Sequence, residues 1–295
     1  MSNFAIGVDI GGTNLKMGLV NQEGLILDEM STSLNRNDAG IADISFICQQ
    51  IASFIDKNKE ADGLLKGIGI ASPGILDTEK GIVQYAVNLG WYEVPLIDFI
   101  QVQLKLPVRL VGDAAAGAIG ESKFGAGCRL SSFLYVCLGT GVGAGLILKG
   151  KIYEGDWGPI INIGHTSVIP DGLPCKCGNL GCLENYVSAS AVKERTGTDA
   201  QQVYEAASNG DLYARSLFQE VGELLGISLV NCMQLFGVGN VIIGGGMSRA
   251  GNVLLDPVRA TVLKRMHPSG SLSVQITPAA FTSTAGILGA AALHF

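Results

Sequence analysis

Phe4-Ala5-Ile6-Gly7-Val8-Asp9-Ile10-Gly11-Gly12-Thr13-Asn14-Leu15-Lys16-Met17-Gly18-Leu19-Val20 opens the chain, and its design returns at Phe133-Leu134-Tyr135-Val136-Cys137-Leu138-Gly139-Thr140-Gly141-Val142-Gly143. Each copy reads as strand, turn containing Gly and Thr, strand. A supersecondary unit that occurs twice predicts a duplicated, two-lobed architecture. Working outward, Asn21-Gln22-Glu23-Gly24 makes a turn before a third strand from Leu25, and Ile44, Ile47, Ile51 and Ile55 form one helical stripe within 41–58. Short buried strands follow at 65–71, ended by Ser72-Pro73-Gly74, and at 108–111, with an Ala-rich helix over 113–123. A long helix is expected at 214–236, a strand at 240–243 and a closing Ala-rich helix at 283–293. Strands alternating with helices predict an α/β fold. The lobe boundary is expected at 111–113, giving one lobe of 1–111 plus the terminal helix (about 283–295) and a second of 112–282.

The 295 residues suffice for a sizeable core, and 47% hydrophobic with 16% charged content describes a folded chain. A formal charge of −6 without any basic run argues against nucleic acid as a partner. Neither a leader pattern at Met1-Ser2-Asn3-Phe4-Ala5 nor a membrane-length apolar run is found, so a cytoplasmic protein with no membrane partner is expected. Four of the seven Cys (Cys48, Cys128, Cys137 and Cys232) are scattered among apolar residues and are expected to be inert and buried.

Asp9 with Gly11, Gly12 and Thr13 is the first phosphate candidate, because successive backbone N–H groups exposed by Gly can face one anion. Asp9 could hold magnesium through water. Gly139, Thr140 and Gly141 form the second candidate, and neither the dinucleotide fingerprint nor the P-loop pattern is present. A third Gly-rich turn after a strand, with Gly245 and Gly246, could admit adenosine against bare backbone. Cys175, Cys177 and Cys182 lie within eight residues, with His165 ten upstream. Three Cys and one His make the closed set of a structural zinc site.

The motifs resemble those of the ROK family of sugar kinases and related repressors along essentially the whole chain. The matching segments are D-I-G-G-T at 9–13, A-S-P-G at 71–74, N-L-G-W at 88–91, G-D-A at 112–114, L-G-T-G-V-G-A-G at 138–145, I-G-H at 163–165, C-K-C-G-N-L-G-C-L-E at 175–184 and the terminal S-T-A-G-I-L-G-A. The resemblance implies a two-lobed ribonuclease-H-like, actin-like ATPase fold in which ATP and sugar meet in an interlobe cleft. It implies Asp113 as catalytic base, sugar contacts from Asn88, Asp113, His165 and Glu184, and zinc on His165 with the three Cys. It also implies ATP and magnesium as cofactors, with Lys16 joining Asp9 and the Gly-rich turns on the nucleotide side, and a homodimer. Phosphoryl transfer needs positioning, charge stabilisation and one carboxylate to take the hydroxyl proton, which agrees with this set.

Two positions depart from the family's glucokinases, which usually carry Asn before the base and Glu two residues before Gly-His. Here these are Gly112 and Asn162, the latter still a sugar-contact candidate. Each loss would weaken glucose binding by about 1–3 kcal/mol if the partner hydroxyl remains. The expected substrate is therefore a hexose or another sugar, such as an amino sugar, allose, fructose or a glucoside. A sugar-sensing DNA-binding regulator would be expected to carry a helix-turn-helix ahead of D-I-G-G-T. A sugar-binding protein without catalysis is the remaining alternative.

Overall fold

β1 (Ser2–Ile10) and β2 (Asn14–Asn21) close an antiparallel hairpin around the first Gly-Thr turn, with Asp9 opposite Lys16. The computed structural model describes residues 2–59, 63–156, 158–159, 161–267 and 274–295. The chain packs into two units, the first made of Met1–Cys128, Ile152–Ile160 and Thr284–Phe295 and the second of Arg129–Lys151 and Ile161–Ser283.

In the first unit the hairpin continues into β3 (Ile26–Ser33) and α1 (Ile44–Lys57), then β4 (Gly63–Ser72). The short strands β5 (Ile75–Asp77), β6 (Ile82–Ala86) and β7 (Trp91–Val94) form an antiparallel sheet of their own, followed by α2 (Leu96–Leu104), β8 (Val108–Gly112) and α3 (Asp113–Phe124). The main sheet runs β3-β2-β1-β4-β8, with β1, β4 and β8 parallel. The second unit contains β9 (Phe133–Leu138), β10 (Val142–Leu148), β11 (Lys151–Ile152), α4 (Glu184–Val187), α5 (Ala189–Thr196), α6 (Ala200–Ser208), α7 (Leu212–Phe236), β12 (Asn240–Gly244), α8 (Asn252–Arg265) and β13 (Gln275–Pro278). Its sheet order, β11-β10-β9-β12-β13, repeats that of the first. The same ribonuclease-H-like order thus occurs twice, as the repeated motif predicts. The terminal helix α9 (Ala285–Ala292) belongs to the first unit.

Alternation along β1 is one of size more than of polarity. Phe4, Ile6, Val8 and Ile10 pack in one cluster with Ile47, Cys48, Ile51 and Phe54 of α1. Each such buried side chain contributes about 2 kcal/mol through lost apolar hydration. On the opposite face Gly7 of β1 and Gly69 of β4 lie so close to α9 that a Cβ would sit 1.9 Å from the Ile287 carbonyl oxygen and 1.8 Å from that of Ala290. The helix backbone thus rests directly on the sheet. In the second unit Leu134, Val136 and Leu138 of β9 share a core with Leu225 and Leu229 of α7. Gly222 and Gly226, one turn apart, admit Pro257 and Thr261 of α8.

Three expectations change. The unit boundary falls after Cys128 instead of at 111–113, because α3 packs through Gly120 and Ala116 against α9 and so stays with the first unit. The buried stripe of α1 is Ile47, Cys48, Ile51 and Phe54, with Ile44 and Ile55 at its margins. Cys48 and Cys232 are buried, but Cys128 is exposed beyond the end of α3. Among the described residues no helix is long and apolar enough to cross a membrane.

Candidate functional site

Parallel pairing brings two carboxylates to one edge of the first sheet. Asp9 lies level with Ala71 and Gly112 lies level with Ser72, so Asp9 and Asp113 both emerge at the carboxyl ends of strands that flank β4. Strands two apart stand about 10 Å from each other, the customary place for ligands in such sheets. Burial, then the negative charge of Asp113, raises the Asp9 carboxyl to about 6, against a smaller opposite pull from Lys16. Asp113 is raised as well. Its side chain retains access to solvent, yet surrounding protein removes enough hydration to disfavour the charge, and the Ala114 N–H, donating to Oδ1 at 2.7 Å, recovers only part of it.

The remaining candidates of this unit gather near the same turn. Gly11 donates its N–H to the Asn14 carbonyl at 2.9 Å, and a Cβ at Gly12 would stand 3.5 Å from the Cβ of Asn88. Thr13 is exposed and its carbonyl accepts the Leu34 N–H at 2.8 Å. Two residues not foreseen from the sequence take part. The Arg36 guanidinium donates to the carbonyls of Gly12 and Asn88, and no periodicity or spacing marks it. Gly286 underlies Asp9: a Cβ there would lie 2.9 Å from the carboxylate, a constraint carried by the S-T-A-G-I-L-G-A segment.

A raised carboxyl has a stability signature. Such a group holds its proton more tightly folded than unfolded, so it favours the fold below about 3.8 and loses that contribution as pH climbs through about 6. Asp9→Asn, in the absence of magnesium and nucleotide, is therefore expected to be more stable than wild type by about 2 kcal/mol at pH 8, with the gap closing toward pH 4. Urea unfolding at both pH values checks this.

In the second unit the candidates converge on Val142. Its N–H donates to Glu184 Oε2 at 2.8 Å, and Gly164 packs so closely that a Cβ would sit 2.4 Å from the Val142 carbonyl oxygen. Asn162 and His165 flank Gly164, the Asn162 carbonyl accepting the His165 N–H at 3.0 Å. Gly141 abuts the same Glu184 carboxylate, which a Cβ would approach to 2.5 Å. Gly139 and Gly246 have open space where a Cβ would stand, and Thr140 is exposed. Gly245 adopts φ +79° against the Leu138 carbonyl, which sets the third Gly-rich turn beside the second. Glycine is required there by both the close approach and the left-handed φ.

The four proposed metal ligands do assemble. One ligand atom from each of His165, Cys175, Cys177 and Cys182 lies within 4.8 Å of the others. Cys175 Sγ stands 3.7 Å from His165 Nδ1, and Cys177 Sγ stands 3.7 Å from Cys182 Sγ. That spacing exceeds any disulfide and matches the edge of about 3.8 Å in a thiolate tetrahedron around zinc. Gly178 at φ +91° and Gly181 at φ +67° fold the loop back. Burial and the adjacent thiols push the Cys182 thiol up to about 12, whereas the Asn179 peptide N–H lowers that of Cys177.

The chain matches the ROK family over residues 5–295. A glucokinase from Thermotoga maritima is 34% identical over 98% of this chain and 96% of its own length. A xylose repressor from Caldicellulosiruptor bescii is 30% identical over 98% of this chain and 77% of its own. A crystal structure of a ROK family glucokinase from Streptomyces griseus, in complex with glucose and AMPPNP, superposes with a TM-score of 0.85 at 32% identity, covering 99% of both chains. With the family matched from near the first strand to the last residue, the protein is a member of the ROK family.

Proposed function

We propose that the protein is an ATP-dependent sugar kinase in which Asp113 is the general base. The observation that carries the reading is the pair of crowded carboxylates, Asp9 and Asp113, at the carboxyl ends of parallel strands beside a Gly-rich turn. The glucokinase relatives, and the glucose and AMPPNP bound to the Streptomyces griseus protein, give the substrate class. A sugar O–H yields its proton to Asp113 as its oxygen forms a bond to the γ-phosphorus, and the bond from that phosphorus to its bridging oxygen breaks to release ADP. The Ala114 N–H on Oδ1 orients the carboxylate and leaves Oδ2 to receive the proton. Asn88, Asn162, His165 and Glu184 would bind sugar hydroxyls. Gly11, Gly12, Thr13, Lys16, Gly139, Thr140, Gly141, Gly245 and Gly246 would hold the nucleotide, and Asp9 would position magnesium, which neutralises charge on the phosphates.

The Cβ direction at Gly112 is open, with the Ala115 Cβ as the nearest atom at 4.0 Å. Room is thus left beside the base, which supports a sugar other than unmodified glucose. Magnesium-dependent ADP release across hexoses, amino sugars and disaccharides tests the reading, and silence with every sugar would overturn it. The xylose repressor relatives favour a second reading, sugar binding without phosphoryl transfer. Calorimetric sugar binding without ADP release would select that one.

Zinc on His165, Cys175, Cys177 and Cys182 would leave no open coordination position, so its role is to brace the loop. Glu184 follows Cys182 by two residues and holds the Val142 N–H. Cys177→Ser is expected to lower zinc affinity by at least about 100-fold and to raise the sugar KM about tenfold. Metal analysis after dialysis and steady-state kinetics measure both.

A further inference from the structure

We propose that Arg36 is a positioning residue that couples the first Gly-rich turn to the Asn88 loop, so that sugar and nucleotide are bound interdependently. The inference rests on the kinase reading above for the identity of the two ligands, and on the first unit alone for its geometry. A single nitrogen, Nη2, donates to the carbonyls of both Gly12 and Asn88, the latter at 2.7 Å, while Nη1 donates to the Gly40 carbonyl at 2.5 Å. Residues 24 and 52 positions away in sequence are thereby held by one rigid fork.

The segment that carries Arg36 is itself stapled to both sides. The Leu34 N–H donates to the Thr13 carbonyl at 2.8 Å, and the Ala42 N–H donates to the Leu89 carbonyl at 2.8 Å. The buried Trp91 indole N–H then donates to the Ala42 carbonyl at 2.8 Å. Residues 34–42 therefore form a strap from Thr13 to Trp91, with Arg36 as its central tie. Asn88 also faces Gly12, where an added Cβ would stand 3.5 Å from the Asn88 Cβ. Such charge-assisted donors to carbonyls are stronger than neutral ones, and the planar fork sets direction as well as distance.

Arg36→Lys separates this role from plain attraction of phosphate by positive charge. Lysine retains the charge but is a point donor that cannot reproduce the fork. The KM values for ATP and for the sugar are expected to rise together by about tenfold, with a smaller change in kcat, because a displaced turn costs binding before chemistry. In calorimetry the gain in sugar affinity produced by magnesium-AMPPNP should shrink. Wild-type KM values for both ligands in Arg36→Lys would overturn the proposal, and so would a rise confined to the nucleotide.

Amide hydrogen exchange gives a reading independent of activity. Peptides covering 11–14 and 87–90 should exchange faster in Arg36→Lys, while 139–145 in the other unit serves as the unchanged control. If the wild type shows no sugar-dependent ADP release, the kinase reading fails and exchange still tests the tie. Unchanged exchange at both segments sinks the tie whatever the activity.

Discussion

Asp113→Asn is expected to lower kcat for sugar-dependent ADP release by about a thousandfold, within the span usual for a lost general base. An amide keeps the size of the side chain and its acceptor oxygen, so the Ala114 N–H still has a partner. What disappears is the capacity to take up a proton. Sugar affinity measured by calorimetry should therefore change far less than kcat. A mutant within tenfold of wild type would remove Asp113 from the chemistry.

The acid limb of the pH profile adds a second readout. On the proposed mechanism Asp9, at about 6, and Asp113, also raised, must both be ionised, the first for magnesium binding and the second for proton transfer. Falling pH protonates them, so the wild-type logarithm of kcat/KM should bend downward with a slope approaching two. Asp113→Asn should reduce that slope toward one. Because the charge of Asp113 helps to raise Asp9, removing Asp113 should also move the remaining bend to lower pH.

Gly289→Ala is expected to prevent stable folding of the first unit. The added Cβ would lie 1.7 Å from the Ala116 carbonyl oxygen and 2.4 Å from its carbon. Neither atom belongs to a flexible side chain, and both helices are fixed: α9 against Gly7 and Gly69 of the sheet, α3 through Gly120 against the start of α9. Separating them would open the small-residue layer that contains Ala71, Ala115, Ala116 and Ala290. Overpacking of this kind costs at least about 4 kcal/mol, a large part of the 5–15 kcal/mol that holds an ordinary domain together. Gly112→Ala is the matched control, since its Cβ meets only the Ala115 Cβ at 4.0 Å and its φ is −67°. The control should stay within about 0.5 kcal/mol of wild type. Soluble yield and thermal unfolding compare the two, and a folded Gly289→Ala with an unchanged midpoint would refute the packing argument.

The glycines illustrate what could and could not be read in advance. Their concentration signals close backbone approach, and the two Gly-Thr turns were legible because each lies between strands of alternating pattern. Gly7, Gly69 and Gly289 serve a different end, contact with a helix hundreds of residues away in the chain or with its neighbour, and nothing in their local sequence names that partner. The end of the first unit is hidden from local sequence for the same reason. Residues 111–113 do mark a change from strand to helix, but the choice of unit for α3 depends on α9.

Sequence alone determined the two hairpins, the α/β class and the Cys and His cluster proposed to hold zinc, because dihedral preferences and ligand spacing act over a few residues. The Cys-rich loop needed only two left-handed glycines to bring its thiols near His165. Tertiary structure alone decided that Glu184 holds Val142, that Arg36 ties Gly12 to Asn88, and that Asp9 is raised toward neutrality. Those outcomes depend on hydration and through-space distance between segments far apart in the chain, quantities that no local pattern encodes.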